Sequence, residues 1–445
     1  MAAGLPLFGE EVACRSRPSV WRRMTVTGNR QDAPQTDILF VISSLGAGGA
    51  EIHLASLAAQ LQARGWSVAV YSLAGLGGGA AEHYAEGIDL VRPPLERRPG
   101  REIVARRVFR FALAVGYLFV TMLRRRPQII HFFLPASYLV GAPLAALARI
   151  PVRVMSRRSL NDYQGKYGFV RFIERKLHPG MTAVLGNSLA VVRQLAEEGV
   201  SKDRLGLIYN GVLKSADATP IERAVVRERL GLSGETITLI IVANLIPYKG
   251  HGDLIEALAK ATRAMPRQWC LLVVGRNDGI QGQLQRRVDD LGLTKRVRFL
   301  GSRRDIPALL AAADIGLLVS HQEGFSNAIL EGMAAGLPMI VTDVGGNAEA
   351  VQDGKTGLVV PARDPDRLAA AIVKLSNDPA ARAAFGRSGQ NRVRDCFSFE
   401  ACIDRYERLY HGLLRGEAPR WIEGVAILET IWSSSPTLAP QRPEG

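Results

Sequence analysis

The segment 315–346 constrains the fold of this chain more than any other segment. It opens with an apolar run that predicts a strand buried on both faces, and a polar turn at Gly324 follows. A short helix is expected to begin near Ser326, which is a suitable N-cap, and to end at Gly336 and Pro338. A second buried strand comes next. A strand, a helix and a second strand in this order predict a parallel α/β sheet.

Two carboxylates lie eight positions apart in this segment, Glu323 in the turn and Glu331 on the helix. The amides of Gly324, Phe325 and Ser326 lie at the start of the helix, where unpaired N–H groups and the helix dipole attract phosphate. A carboxylate beside an anion site repels the anion and weakens its binding. Such a carboxylate is expected only where it binds another group, such as the hydroxyls of a sugar or a ribose. The combination indicates a nucleotide-sugar site.

The segment EGFSNAILEGMAAGLPMIVTDVGG, with these two glutamates, closely resembles the family 4 retaining glycosyltransferases of GT-B fold. Other matching pieces are Lys249 in VANLIPYKGH, the VVG at 273–275 and SSLGAGGAE at 43–51, and the resemblance covers roughly residues 38–414. It implies an α/β protein with two Rossmann-like, doubly wound domains that face a cleft.

A chain of 445 residues exceeds what one hydrophobic core usually holds, so two domains are expected. Together with the resemblance, this predicts a helix that crosses back from the second domain to the first. The expected division is a disordered extension (1–36), an acceptor-binding domain (37–215), a nucleotide-sugar-binding domain (216–398), the crossover helix (399–414) and a tail (415–445).

The resemblance implies a role for each site residue. Glu323 would bind the sugar hydroxyls, Glu331 the ribose hydroxyls, and Lys249 would neutralise the departing diphosphate. The family usually has an arginine where Asn244 stands, so Arg276 is a candidate for the missing cation. The remaining donor contacts are expected from the loop after Gly301, which would hold the nucleobase, and from the glycine turn at Gly48 and Gly49. The alternative for this turn is a tight connection between strand and helix without a ligand role.

The acceptor side departs from the family pattern. Many members carry a histidine in the region of VRVMSRRSL, whereas this chain has Ser156, Arg157 and Arg158 there. The two arginines are interpreted either as contacts to a phosphorylated acceptor or donor, or as solvated surface residues.

Positive charge is concentrated in the first half. Residues 1–215 hold 28 lysines and arginines against 15 acidic residues, and residues 216–445 hold 28 against 27. No aromatic-interleaved RNA motif or zinc finger accompanies the charge, so an anionic membrane surface or acidic acceptor is expected rather than nucleic acid. The uncharged stretch 111–123 lies between arginines and is shorter than the about 20 residues that span a bilayer. It is either an interfacial helix or an ordinary packed helix.

Neither a metal nor a resident cofactor is expected. The four cysteines have no metal-ligand spacing and indicate free thiols in a reducing cytoplasm, and no DxD-type metal-binding motif is evident. No secretory signal is recognisable at the N-terminus, and Met24 is a second candidate start. The predicted location is cytoplasmic, with peripheral attachment to the inner membrane face.

The sequence therefore predicts a retaining glycosyltransferase that moves a sugar from a nucleotide diphosphate sugar to a lipid-linked, polysaccharide or other glycan acceptor. Two alternatives stay open at this stage. One is another GT-B nucleotide-sugar enzyme such as an epimerase, and the other is a non-catalytic peripheral membrane protein.

Overall fold

The computed structural model describes residues 36–45, 48–74, 88–94, 104–161, 168–213 and 219–419. Two parallel sheets, with seven and six strands, organise this part of the chain, so the predicted α/β class is confirmed. Most of the predicted N-terminal extension and tail, Met24 included, lies outside the described residues. Thr36, placed in that extension by the sequence, is described and buried.

The first sheet has the order β3-β2-β1-β4-β5-β6-β7. The sequence predicted six of its strands and missed β3, because a three-residue edge strand with an exposed aspartate gives almost no apolar pattern. The strands are β1 (Ile38–Ile42), β2 (Val68–Ser72), β3 (Asp89–Val91), β4 (Ile129–Phe133), β5 (Val152–Arg157), β6 (Ala183–Gly186) and β7 (Leu205–Leu207).

The second sheet has the order β10-β9-β8-β11-β12-β13. Its strands are nearly continuous apolar runs, as expected of parallel strands covered on both faces. They are β8 (Ile237–Val242), β9 (Trp269–Val274), β10 (Val297–Gly301), β11 (Ile315–Leu318), β12 (Met339–Thr342) and β13 (Gly357–Val360).

Helices connect the strands in both halves. Several begin at side-chain caps, among them Ser188 and Ser398, and Thr219 forms a capping box with Glu222. The helices are α1 (Gly49–Ala63), α2 (Val104–Arg125), α3 (Pro135–Leu147), α4 (Gly168–Leu177), α5 (Leu189–Glu197), α6 (Pro220–Arg229), α7 (His251–Ala261), α8 (Gln281–Asp290), α9 (Ile306–Ala312), α10 (Asn327–Ala334), α11 (Asn347–Ala350), α12 (Pro365–Asn377), α13 (Pro379–Cys396) and α14 (Phe399–Leu414). None of the helices in the described ranges is both long and apolar enough to cross a membrane.

The last helix returns to the first sheet. Phe399, Tyr406 and Tyr410 of α14 belong to the hydrophobic core that also contains β1 and β4 residues. The two crossings of the chain between the sheets run side by side, because Val212 and Ser398 form a parallel bridge and Val212 N donates to the Phe397 carbonyl at 3.0 Å.

Each sheet has a switch point where the strand order reverses, between β1 and β4 in the first sheet and between β8 and β11 in the second. Loops that leave neighbouring strands in opposite directions open a crevice at the carboxyl ends of those strands, and open α/β sheets bind ligands there. The loops after β8 and β11 carry residues 243–250 and 319–326, which include both residues predicted to be catalytic.

Candidate active site

The structure brings Lys249 and Glu323 together from separate loops at the switch point of the second sheet. Lys249 Nζ lies 2.5 Å from Glu323 Oε1, and the Ser320 hydroxyl donates to the same oxygen at 2.7 Å. The two side chains are only 17% and 11% exposed. A pair that is both charged and mostly desolvated interacts more strongly than it would at the surface.

This pair keeps binding capacity for a ligand. An ammonium group has three N–H donors, so the contact with Glu323 leaves two of them for other oxygens. No described residue donates to Glu323 Oε2, which can accept hydrogen bonds from hydroxyls. Phosphate on the lysine and sugar hydroxyls on the carboxylate are therefore compatible with the same pair.

Two glycines allow the site loops to approach so closely. Gly250 follows Lys249 with φ +72°, and a Cβ there would lie 2.0 Å from the Val319 carbonyl oxygen. Gly345 has φ +54°, and its Cβ would lie 1.9 Å from the Glu323 carbonyl oxygen. Both positions require glycine for conformation and for space. They hold the lysine loop and the glutamate turn against their neighbours.

The N-terminus of α10 faces the glycine turn of the first domain. Ser326 is the N-cap residue, as predicted, but its side chain makes no capping hydrogen bond. Asn327 Nδ2 donates to the Gly49 carbonyl at 3.4 Å, which places Gly48 and Gly49 at this helix end. Phe325 does not face solvent, being only 4% exposed. The helix end and the glycine turn thus come from different domains.

Glu331 lies one turn beyond Asn327 on α10, and residues four apart share a helix face, so it points toward the same region. Burial raises the pKa of its carboxyl group from the ordinary value of 4.5 to about 7. None of the described residues donates a hydrogen bond to this carboxylate. A desolvated carboxylate without donors gains more than a solvated one from ligand hydroxyls.

The other predicted donor contacts lie at carboxyl ends of the second sheet. Asn244 Oδ1 accepts a hydrogen bond from the Arg276 backbone amide at 3.2 Å, so it fixes the loop after β9. The Arg276 side chain is 58% exposed and pairs with Asp278 at 2.6 Å. Gly301 ends β10 with φ +65° and open space around its Cα. The sequence did not anticipate that Arg276 already has a carboxylate partner.

The interpretation of Arg157 as a solvated surface residue is wrong. Its side chain is fully buried, and its two terminal nitrogens each lie 2.6 Å from a carboxylate, Glu174 on α4 and Glu198 after α5. Burial would raise the pKa of Glu198, but hydrogen bonds from His178 and Arg157 outweigh it and hold the pKa at about 2. Arg157 therefore ties α4 and the end of α5 to β5, and its contact to an acceptor or donor stays a prediction.

Arg158 lies between the two domains. Its Nη2 donates to Asn210 Oδ1 at 2.8 Å, and its guanidinium lies 5.8 Å from the centre of the Phe133 ring. A Cβ on Gly324 would lie 2.4 Å from the Arg158 carbonyl oxygen, so the donor loop packs directly on this backbone. Burial lowers the pKa of Arg158. It is therefore no solvated surface arginine, and its role toward an acceptor stays a prediction.

The sequence singles out neither Asn210 nor Glu349 as a site residue. Asn210 Nδ2 donates to the Phe325 carbonyl at 2.9 Å and lies 2.7 Å from Asn327 Oδ1. Glu349 accepts hydrogen bonds from the backbone of the first domain. A single sequence carries no signal for such contacts, because they join positions more than 100 residues apart.

Two Rossmann-like sheets that meet at their carboxyl ends, with a lysine–glutamate pair at one switch point, define the class of this protein by its fold, which is GT-B. Residues 47–213 match the family model described as Glycosyltransferase Family 4, and residues 236–378 match the model described as Glycosyl transferases group 1. The chain belongs to glycosyltransferase family 4, as the sequence motifs predicted.

Two curated relatives are similar over part of their length. The chain is 32% identical over 191 residues to N-acetyl-alpha-D-glucosaminyl L-malate synthase of Bacillus anthracis, covering 43% of this chain and 49% of the relative. It is 31% identical over 273 residues to a GDP-mannose-dependent alpha-(1-6)-phosphatidylinositol monomannoside mannosyltransferase of Mycolicibacterium smegmatis, covering 59% and 66%. The chain thus spans between about half and two thirds of these relatives.

The fold also matches a solved structure along nearly its whole length. The Anabaena protein HepE, crystallised with UDP and glucose, superposes with a TM-score of 0.73 at 24% sequence identity. The match covers 84% of this chain and 98% of HepE. The predicted GT-B fold is confirmed.

Proposed function

We propose that this protein transfers a sugar from a nucleotide diphosphate sugar to a glycan or lipid-linked acceptor, with retention of configuration. The observation that carries the proposal is the Lys249–Glu323 pair at the switch point. This pair has hydrogen-bond donors and acceptors left to bind a charged sugar nucleotide. The relatives support the donor class, since one is named for GDP-mannose and HepE was crystallised with UDP and glucose.

In this proposal the second domain binds the donor. Lys249 and the first amides of α10 hold the diphosphate, Glu323 binds the sugar hydroxyls, and Glu331 binds the ribose hydroxyls. The nucleobase lies by the loop after Gly301. The glycine turn at 48–49 closes over the phosphates from the first domain, which also presents the acceptor.

The transfer breaks the bond between C1 of the sugar and the phosphate oxygen while the acceptor oxygen bonds to C1 on the same face. The acceptor proton passes to the departing phosphate oxygen, so no protein base is needed. Lys249 and the helix end stabilise the charge that develops on the diphosphate. These groups do the work that a divalent metal does in other transferases, and no resident cofactor takes part in the proposed reaction.

A screen of UDP-, GDP- and ADP-linked sugars by thermal shift would identify the donor, because a ligand that binds the native state raises its melting temperature. The stabilising donor, incubated with lipid-linked and oligosaccharide acceptors and a chelator, should yield glycosylated product and free nucleoside diphosphate. An isomerised sugar without acceptor would instead show an epimerase. Activity that a chelator abolishes would contradict the metal-independent mechanism.

We further propose that the first domain docks on the anionic inner face of the cytoplasmic membrane. Helices α2 and α4 both contact α3, and both expose large apolar side chains. Val108 and Phe109 on α2 are 62% and 60% exposed, and Phe169 and Phe172 on α4 are 73% and 59% exposed. Arginines and lysines flank them, as in interfacial helices.

Within the stretch 111–123 itself, Phe111 and Leu123 are 50% and 46% exposed, whereas Leu118 and Met122 pack into the core. The stretch is therefore packed on one face and exposes apolar side chains on the other, which supports the interfacial interpretation.

Vesicle co-sedimentation tests the docking. The protein should bind phosphatidylglycerol vesicles better than phosphatidylcholine vesicles, and added salt should weaken that binding. Replacing Phe169 and Phe172 by serine should weaken vesicle binding at least about tenfold. The reason is that burying each aromatic ring in the membrane contributes roughly 2 kcal/mol to the binding free energy. Ile221→Ser, at a 76% exposed position on α6, is the matched control. Equal binding by both variants would refute the surface.

A further inference from the structure

Glu349 joins the two domains through the start of a helix. It lies on α11 of the second domain. Its two carboxylate oxygens accept hydrogen bonds from the first two backbone amides of α5 in the first domain. Leu189 N lies 2.7 Å from Oε2 and Ala190 N lies 3.0 Å from Oε1. A carboxylate at a helix N-terminus is stabilised both by these hydrogen bonds and by the dipole.

A third donor and a rigid base complete this contact. The Tyr209 hydroxyl donates to Glu349 Oε2 at 3.0 Å, from the end of the first domain. On the other side, Arg392 of α13 donates to the backbone carbonyls of Glu349 and Ala350 at 2.8 and 2.9 Å. The Glu349 backbone is therefore anchored in the second domain, while its carboxylate is bound by the first domain. A movement of one domain relative to the other would break these hydrogen bonds.

The same turn carries the donor loop. Gly346 N donates to the Gly324 carbonyl at 2.8 Å, and a Cβ on Gly346 would lie 2.7 Å from the Ser188 Cβ, next to the α5 amides. Phe325 packs on the Tyr209 ring with centroids 4.9 Å apart. The position of α5 relative to α11 therefore also sets the position of the Gly324 loop relative to Arg158.

We propose that Glu349 is a positioning residue that holds the two domains in register, so that the donor loop of the second domain meets the acceptor side of the first. The proposal rests on the proposed transferase function for its consequence on turnover, but not for the contact itself. Both carboxylate oxygens of Glu349 are engaged by groups of the first domain, so Glu349 acts through α5 and the Gly324 loop.

Glu349→Gln is the sharpest perturbation, because it preserves shape but removes the charge and sets an NH₂ group against a backbone N–H. Amide hydrogen exchange of the segment 188–192 should accelerate at least about tenfold, the scale of losing one charge-assisted hydrogen bond. Solution scattering should show a larger radius of gyration. Glu228→Gln, on the exposed face of α6, is the matched control and should change neither quantity.

Turnover provides the second readout. The Glu349→Gln variant should bind donor within about threefold of the wild-type affinity, while kcat for transfer falls about 10- to 100-fold, the scale on which misplaced reacting groups lower rates. Tyr209→Phe, which removes one of the three donors, should show the same pattern with a smaller effect. If Glu349→Gln does not fold, this variant carries the test.

Unchanged exchange at 188–192 overturns the proposal, and so does a loss of donor affinity as large as the loss of kcat. The exchange and scattering measurements do not depend on catalysis. If the wild-type protein transfers no sugar, the proposed function fails, whereas faster exchange and a larger radius in the variant would still establish Glu349 as the residue that holds the domains together.

Discussion

Replacing Glu331 by glutamine should stabilise the protein while it impairs donor binding. Burial raises the pKa of this carboxyl group from 4.5 to about 7, so the folded protein resists its ionisation. A tenfold change in an equilibrium is worth about 1.4 kcal/mol, and the rise therefore corresponds to ~3 kcal/mol of folding free energy. Glutamine does not ionise and avoids this cost.

The sign of the pH dependence follows from the raised pKa. Below pH 4.5 the carboxyl group is protonated in both the folded and the unfolded chain, and its contribution to stability is fully present. Between pH 4.5 and 7 only the unfolded chain releases the proton, so the free energy of unfolding falls as the pH rises. Above pH 7 the whole ~3 kcal/mol is lost.

Urea unfolding at several pH values between 4.5 and 8, without donor, measures this difference. Trp269 is buried in the core of the second sheet and reports the unfolding of the domain that contains Glu331. The stability of Glu331→Gln relative to wild type should increase by ~3 kcal/mol from the lowest to the highest pH. Glu228→Gln should show no such trend, since its side chain is exposed. Parallel curves for Glu331→Gln and wild type would refute the buried, unpartnered carboxylate.

Donor binding should show the opposite trend. The ionised carboxylate accepts ribose hydroxyls through both oxygens, and with a pKa of about 7 its population rises about tenfold between pH 6 and pH 8. Donor affinity of the wild-type protein should improve by about the same factor, measured by titration calorimetry. Glu331→Gln should bind donor weakly and without this dependence. Wild-type affinity in the variant would remove Glu331 from the donor site.

Lys249→Ala should lower kcat about 10²- to 10³-fold, which is the scale of losing one charge-stabilising group. Lys355→Ala, at an exposed position, is the control and should leave kcat unchanged. Equal rates in both variants would contradict the role assigned to Lys249. Gly324→Ala should slow transfer at least about tenfold because its Cβ would lie 2.4 Å from the Arg158 carbonyl oxygen, a backbone atom that cannot rotate away. The control is Gly282→Ala, whose Cβ would meet no atom closer than 4.0 Å. A Gly324→Ala enzyme with wild-type turnover would show that the two backbones need not touch during the reaction.

Local patterns in the sequence were sufficient for most of the fold. Most of the buried strands are largely apolar, so their existence follows from residue type and length, and only the short edge strand β3 escaped this reasoning. The site motif was also local: Glu323 and Glu331 lie eight positions apart, and the glycine turns mark where loops must pack closely. Parallel topology then places such loops at a switch point.

Burial and long-range pairing decided what the sequence could not. Arg157 and Arg158 are neighbours of the same type, yet one lies in a dry ion pair with Glu174 and Glu198 while the other lies between the domains. Alternating side chains of a strand point to opposite faces, and only the packed helices determine what each face meets.

The chain by itself thus determined a doubly wound α/β protein with a sugar-nucleotide motif, since these depend on residue types and short spacings. The tertiary structure alone decided that burial raises the pKa of Glu331 to about 7, that Lys249 pairs with Glu323, and that Glu349 caps a helix of the other domain. Each of these properties depends on distance and desolvation between residues far apart in sequence, and such distances exist only in the folded molecule.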